Sequence, residues 1–159
     1  YLRKMGLDEL GVPTDENMRH EAMRRFFEVP GLRYHWCKGT PAVDTGDVYR
    51  RSKMALSISM TSRYERYSSD RLFRIMATGC IPVAKRFLGY EAFGLVAGEN
   101  CLLFDTLDEA EQLVMRCKDN PELLATMRRN VIALSETHSW EQRMRELRPL
   151  IQHVQEKRV

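Results

Sequence analysis

Ser68-Ser69-Asp70-Arg71-Leu72-Phe73-Arg74-Ile75-Met76-Ala77-Thr78-Gly79-Cys80-Ile81-Pro82-Val83-Ala84-Lys85 is the stretch that decides the fold. Leu72, Ile75, Met76 and Gly79 recur at helical spacing, which marks the buried side of a short helix over Asp70 to Gly79. Ile81 to Lys85 is then short and apolar, as a buried strand is. Working outward, Lys53 to Met60 alternates partially and Cys101 to Phe104 is apolar, so both are strand candidates, with Leu32 to Trp36 a further one. Strands and helices that alternate in this way imply parallel crossover units and a layered α/β sheet.

The flanks have different textures. Thr14 or Asp15 can cap a helix carrying Met18, Ala22, Met23, Phe26 and Phe27, which Pro30-Gly31 stops. Lys38 to Asp47 is turn-rich, and Asp47 to Lys53 fits one or two helical turns. Beyond Phe104 the pattern is purely helical. Leu107, Ala110, Val114 and Cys117 share a face; Asn120-Pro121 restarts a helix with Leu124, Met127, Val131 and Leu134; Ser139 and Gln142 form a capping box before a third helix with Trp140, Met144, Leu147, Ile151 and Val154. All three are expected to cover the sheet and wrap back across it. The expected organisation is a single domain over 1–159, with an N-terminal helical segment 1–31, an α/β sheet core 32–105 and C-terminal helices 106–159. The chain opens on Tyr1 rather than Met, as a fragment or a processed product does.

Composition narrows the class. The 159 residues are 43% hydrophobic and 30% charged, enough for a real core. The 25 basic and 22 acidic residues are interspersed, so the net charge of +3 does not describe a body built to bind nucleic acid. Cys37, Cys80, Cys101 and Cys117 form no C-x-x-C pair and sit in apolar company, the pattern of buried reduced thiols and hence of a cytoplasmic protein. No apolar run reaches the roughly 18 residues of a membrane span. His20, His35 and His153 have no partners at metal-ligand spacing, and no metal is expected.

Ligands of doubly wound sheets sit beyond the carboxyl ends of the strands. The loop Thr61-Ser62-Arg63-Tyr64-Glu65-Arg66-Tyr67-Ser68-Ser69 lies there, ahead of the helix Asp70 to Gly79. Its arginines, tyrosines and hydroxyls before free backbone N–H groups suit a phosphate and a planar base. Arg71 and Arg74 can both point toward one anion, with Lys85 and Arg86 at the neighbouring strand end. The plainer alternative is an ordinary ion pair between Asp70 and Arg74, with Ser69 a helix cap. Trp36 and Trp140 read as core residues, and His138 as a helix-start or packing residue.

At this point the chain resembles a family. Ser69 to Val83 is similar to the Glu-Ala-Met-Ala-x-Gly-x-Pro-Val segment of group 1 glycosyltransferases of the two-domain GT-B fold, and to the CgeB-like branch in having Arg-x-Phe before the small-residue turn. Asp47-Val48-Tyr49 leading into Lys53 to Ser59 resembles the family's "dvy…skialn" strand. Gly89 to Phe93, Gly98 to Phe104 and Leu107 to Ala110 match in order, and His138-Ser139-Trp140-Glu141-Gln142-Arg143 looks like its terminal signature. The resemblance spans Leu32 to Leu147.

It implies a Rossmann-like three-layer half of a GT-B enzyme, which binds a nucleotide-diphosphate sugar without a metal and faces an acceptor-binding domain. The family's Glu-x7-Glu pair falls at Arg66 and Arg74, and arginine cannot accept hydrogen bonds from a ribose diol. Glu65 stands one residue away, and Glu91 follows Gly89 where the family's loop approaches the donor sugar. The nucleotide-sugar-binding set expected from the residues and the resemblance together is Arg63, Glu65, Arg66, Ser68, Ser69, Arg71, Arg74, Lys85 and Glu91. The chain is expected not to turn over alone, and either to work with an acceptor-domain chain or to be a piece of a longer enzyme with a missing N-terminal domain; an acceptor-domain chain or a homo-oligomer is the expected partner. Two other readings stand beside this one. One is a binding or assembly module that keeps the fold without the chemistry. The other is an unrelated α/β nucleotide-binding domain, which has no G-x-G-x-x-G or G-x-x-x-x-G-K-[ST] run behind it.

Overall fold

The computed structural model describes residues 14–35 and 42–156. Its centre is a parallel sheet of three strands in the order β1-β2-β3, formed by Met54–Ser57, Ile81–Lys85 and Leu102–Phe104. Register sets one apolar row across the sheet, because Leu56 pairs with Val83 and Val83 with Leu102. Alternation then sends Ala84 and Leu103 to the opposite face.

Both faces are covered, as a parallel sheet requires. Helices α1 (Glu16–Glu28) and α4 (Leu107–Lys118) bury Ala22, Phe26, Ala110 and Val114 against Val83, Leu102 and Phe104. On the other face α3 (Asp70–Ala77) packs Leu72 and Met76 against Ala84 and Leu103. α2 (Ala42–Arg51) precedes β1. The long α5 (Pro121–Thr137) serves both clusters, giving Leu124 and Met127 to one and Val131 to the other. Each large side chain buried in this way stabilises the fold by about 1.5–3 kcal/mol.

The joint between α3 and β2 is as tight as the sequence requires. Thr78 caps α3 and Gly79 follows at φ +72°, its N–H donating to the Met76 carbonyl at 2.9 Å. A Cβ on Gly79 would stand 3.0 Å from Ile132 on α5, so glycine lets α5 close over the turn. Caps were well encoded elsewhere too. Asn120 Oδ1 accepts from the Leu123 N–H at 3.0 Å, and Ser139 Oγ from the Gln142 N–H at 3.2 Å.

Four expectations are corrected. Residues 32–35 form no strand; Leu32 and Tyr34 pack on the core, and Trp36 lies outside the described residues, as does Cys37. The helix expected over Asp47 to Lys53 begins at Ala42 and carries Gly46 inside it. Phe27 points away from the core and is 70% exposed. The last helix, α6 (Trp140–Glu156), does not wrap back over the sheet: Trp140, Met144, Leu147, Ile151 and Val154 are all exposed, Trp140 at 85%. Trp140 is therefore not a core residue. No helix among the described residues is long and apolar enough to cross a membrane.

Candidate functional site

Beyond the carboxyl ends of β1 and β2, two loops are fastened to each other. The Arg66 N–H donates to the Leu88 carbonyl at 2.7 Å, and the Leu88 N–H to the Ser62 carbonyl at 3.1 Å. Close approach is allowed by Gly89, at φ +76°, where a Cβ would lie 3.3 Å from the Arg66 nitrogen and 3.0 Å from its Cγ. Arg66 itself holds φ 55°, the one positive value for a residue other than glycine among those described. The two loops thus form one backbone platform, and Arg66 takes the strained conformation within it.

Under the platform, short polar side chains organise the loop. Buried Thr61 accepts from the Arg63 N–H at 3.2 Å, and Ser59 Oγ from the Ser69 N–H at 3.1 Å. Tyr64 and Tyr67 meet edge to face with centroids 6.2 Å apart. Ser69 is the N-cap of α3, yet its side chain makes no cap bond and its Oγ is a buried atom with no partner. A buried hydroxyl left in this way at a helix N-terminus suits an incoming anion or hydroxyl. Ser68 lies beside it, its Oγ 3.5 Å from the Ser69 carbonyl.

The arginines divide between different tasks. Arg71 is half-buried and leans back to donate to the Ile58 carbonyl at 3.4 Å, at the mouth of β1. Arg74, exposed one turn further on, pairs with Asp70 at 2.9 Å. Arg71 and Arg74 therefore have different partners. Arg63 is exposed, and Arg66 lies 3.7 Å from Glu65 on the open side of the platform. Glu91 is exposed on a 3₁₀ turn, Tyr90–Phe93.

At the end of β2, Lys85 and Arg86 share a carboxylate that sequence reasoning missed. Asp105, next after β3, accepts from Lys85 Nζ at 3.3 Å and from Arg86 Nε at 2.9 Å. Partial burial pushes the Asp105 carboxyl up, but the bonds from Arg86 and Lys85 outweigh it and hold the group below its ordinary value. Arg86 also donates to the Tyr90 hydroxyl at 3.3 Å and lies 5.6 Å from its ring centroid. Lys85 is thereby fixed at the strand end with a side chain only 15% exposed. The available signal was position: an aspartate directly after a strand at the ligand edge.

His138 is a packing residue. It touches Phe73 and Phe93, its Nε2 lies 2.9 Å from the Phe93 carbonyl, and Arg143 donates to Nδ1 at 3.0 Å. An arginine donor on Nδ1 and a carbonyl at Nε2 suit the tautomer that carries its hydrogen on Nε2. Cys80 and Cys101 are buried, and burial pushes both thiols up to about 12. Among the described residues no three histidine, cysteine or acidic side chains are grouped to hold a metal ion.

The parallel sheet covered on both faces, with its loop platform at the carboxyl edge, defines a Rossmann-like α/β domain. The family model described as "Glycosyl transferase-like" matches residues 14–148, and the chain belongs to that family. The match takes in the sheet, the platform and the first turns of α6. No curated protein matches the chain, and no solved structure does.

Proposed function

We propose that this chain is the nucleotide-sugar-binding domain of a GT-B glycosyltransferase, related to the CgeB-like branch, in which a sugar passes from a nucleotide diphosphate to an acceptor. The observation that carries the reading is the joined platform of residues 62–66 and 88–89, set beside the N-terminus of α3 in a glycosyl transferase-like domain. In this reading the diphosphate lies at the N-terminus of α3, with Ser68, Ser69 and Arg71 around it. Tyr64 or Tyr67 meets the base, and Arg63, Arg66 and Lys85 border the site. Glu65 and Glu91 are the carboxylates on hand for hydroxyl groups of the donor, in place of those the family carries where Arg66 and Arg74 stand.

Catalysis then rests on positioning and on stabilising the departing diphosphate by arginine and helix N–H groups, without a metal. The acceptor is held by another domain or chain, or by a second copy, and the domain is read as one unit in the cytoplasm. Titration with UDP and GDP by calorimetry or thermal shift tests this directly. Stabilisation by one of them is expected, and none at millimolar concentration would sink the reading. A second reading, a binding or assembly module without chemistry, is favoured by one observation: Arg74 is engaged with Asp70 where the family places a carboxylate. Nucleotide binding without sugar transfer to any acceptor extract, even with a supplied acceptor domain, would select it.

A further inference from the structure

The second loop of the platform is closed on itself. Arg86 stands at its start and Tyr90 at its end, and the Arg86 guanidinium joins the two, donating from Nη1 to the Tyr90 hydroxyl at 3.3 Å and lying 5.6 Å from its ring centroid. Leu88 and Gly89, which meet the first loop, lie between these ends. The foot of the loop is fixed as well, because the Arg86 N–H donates to the Phe104 carbonyl at 2.8 Å. Asp105 orients the guanidinium by accepting from its Nε at 2.9 Å. A guanidinium is a planar fork with fixed donor directions, so engaging Nε with one partner sets where Nη1 points.

Asp105 is in turn held from α4. Its N–H donates to Glu109 Oε2 at 2.7 Å, while Thr106 Oγ1 accepts from the Glu109 N–H at 3.2 Å, so the cap of α4 and the residue before it are tied reciprocally. A continuous path of hydrogen bonds therefore runs from the first turn of α4, through Asp105 and Arg86, to Tyr90. Tyr90 opens the 3₁₀ turn that presents Glu91. The far end of that turn is held by packing, since the Phe93 ring meets Phe73 and Phe87 with centroids 5.6 and 5.7 Å apart. Glu91 thus sits between an apolar anchor and a polar one, and the polar anchor is the end of the path.

We infer that Asp105 and Tyr90 are positioning residues, which set through Arg86 where Glu91 and the platform meet the sugar of a nucleotide-diphosphate sugar. The inference rests on the donor reading above and adds to it the residues that govern its sugar side. Ser68, Ser69 and Arg71, around the diphosphate in that reading, belong to the first loop and to α3. Breaking the path is therefore felt by the sugar and not by the nucleotide. Tyr90→Phe is the finer variant, because it removes one hydroxyl and keeps the ring against Phe87. Asp105→Asn takes the charge from the other end of the path, and also loosens Lys85.

Hydrogen exchange on the chain without ligand tests the path itself. The Ala92 and Gly94 N–H groups bond within the turn, to the Gly89 and Glu91 carbonyls at 3.2 and 2.8 Å. Both are expected to exchange about threefold faster or more in Tyr90→Phe and in Asp105→Asn, and the double variant to exceed the faster single one by less than about twofold, since each breaks the same path. Unchanged exchange in either single variant overturns the inference, and so do effects that multiply in the double variant. Calorimetry with UDP, UDP-glucose, GDP and GDP-mannose tests the sugar side. In each variant the affinity for a sugar nucleotide is expected to fall about threefold to tenfold, as for one lost hydrogen bond, while that for the nucleotide alone stays within about twofold. Equal losses for the two, or no loss, overturn the inference. A parent chain that binds neither UDP nor GDP instead sinks the donor reading, whereas one that binds a nucleotide but neither sugar nucleotide overturns the inference alone.

Discussion

Arg66 and Leu88 belong to different loops, yet the N–H of the first donates to the carbonyl of the second at 2.7 Å, and this bond joins the ends of β1 and β2 into one surface. Gly89 permits it. Gly89→Ala puts a methyl 3.0 Å from Arg66 Cγ and forces a residue with a Cβ to hold φ near +76°. A loss of about 1–3 kcal/mol in urea unfolding is expected, with weaker nucleotide binding. An alanine variant as stable as the parent would show that the loops do not need the close approach.

Arg71 and Arg74 are expected to respond differently to truncation. Arg71 is half-buried at the mouth of β1, whereas Arg74 is exposed and already engaged by Asp70. Arg71→Ala is expected to weaken binding of a nucleoside diphosphate by about tenfold or more, the worth of one charge-assisted hydrogen bond. Arg74→Ala is expected to cost less. Calorimetry on both variants gives the ranking, and the reverse order would place the diphosphate on the outer face of α3.

Asp105 gives the fold an acid-sensitive contact. Its bonds to Arg86 and Lys85 hold its carboxyl below the ordinary value of 3.8, so ionised Asp105 is favoured in the folded state. The stabilisation is fully present above that value and is lost as pH falls through the lower folded value. Asp105 is 55% exposed, which keeps each pair to about 0.2–1 kcal/mol. Asp105→Asn should lower the melting temperature at pH 7, and the difference from the parent should shrink toward pH 3.

His138→Ala removes the donor to the Phe93 carbonyl and the acceptor for Arg143. The half-buried carbonyl is left unpaired, for about 1–3 kcal/mol of lost stability. Nucleotide affinity is expected to stay within about twofold of the parent, since only packing is touched. A large loss of affinity in a variant that still folds would give His138 a part at the site.

Much of the core was legible because local pattern and tertiary demand agree there. Ile81 to Lys85 is a strand over the expected span, since an apolar run after a glycine turn has one way to be buried. The faces of α4 and α5 were readable from periodicity, and both are buried as read except at Leu134, which is half-buried. Residues 32–35 misled because apolar side chains on alternate residues also describe a run that packs on the core outside the sheet; strand identity depends on a neighbour that no local pattern contains. α6 misled for a related reason. Its face is amphipathic, but periodicity does not say which surface covers it. At the site, the charged side chains were visible as residue types, whereas the sharing of Asp105 by Lys85 and Arg86 depends on β2 and β3 being adjacent. That adjacency is set over a separation no motif spans.

The buried cysteines give this domain an internal clock. Alkylating reagents attack the thiolate, and at Cys80 and Cys101 a thiol near 12 with no solvent access leaves almost none to attack at neutral pH. Cys80 sits at the α3–β2 joint and Cys101 at the start of β3, so each becomes reactive only when its own part of the sheet opens. Timed iodoacetamide labelling followed by peptide mass analysis therefore reads the opening of two neighbouring strands separately, in unmodified protein. Ligands that close the platform should slow one trace, the other, or both, and so reveal how far their grip extends into the sheet.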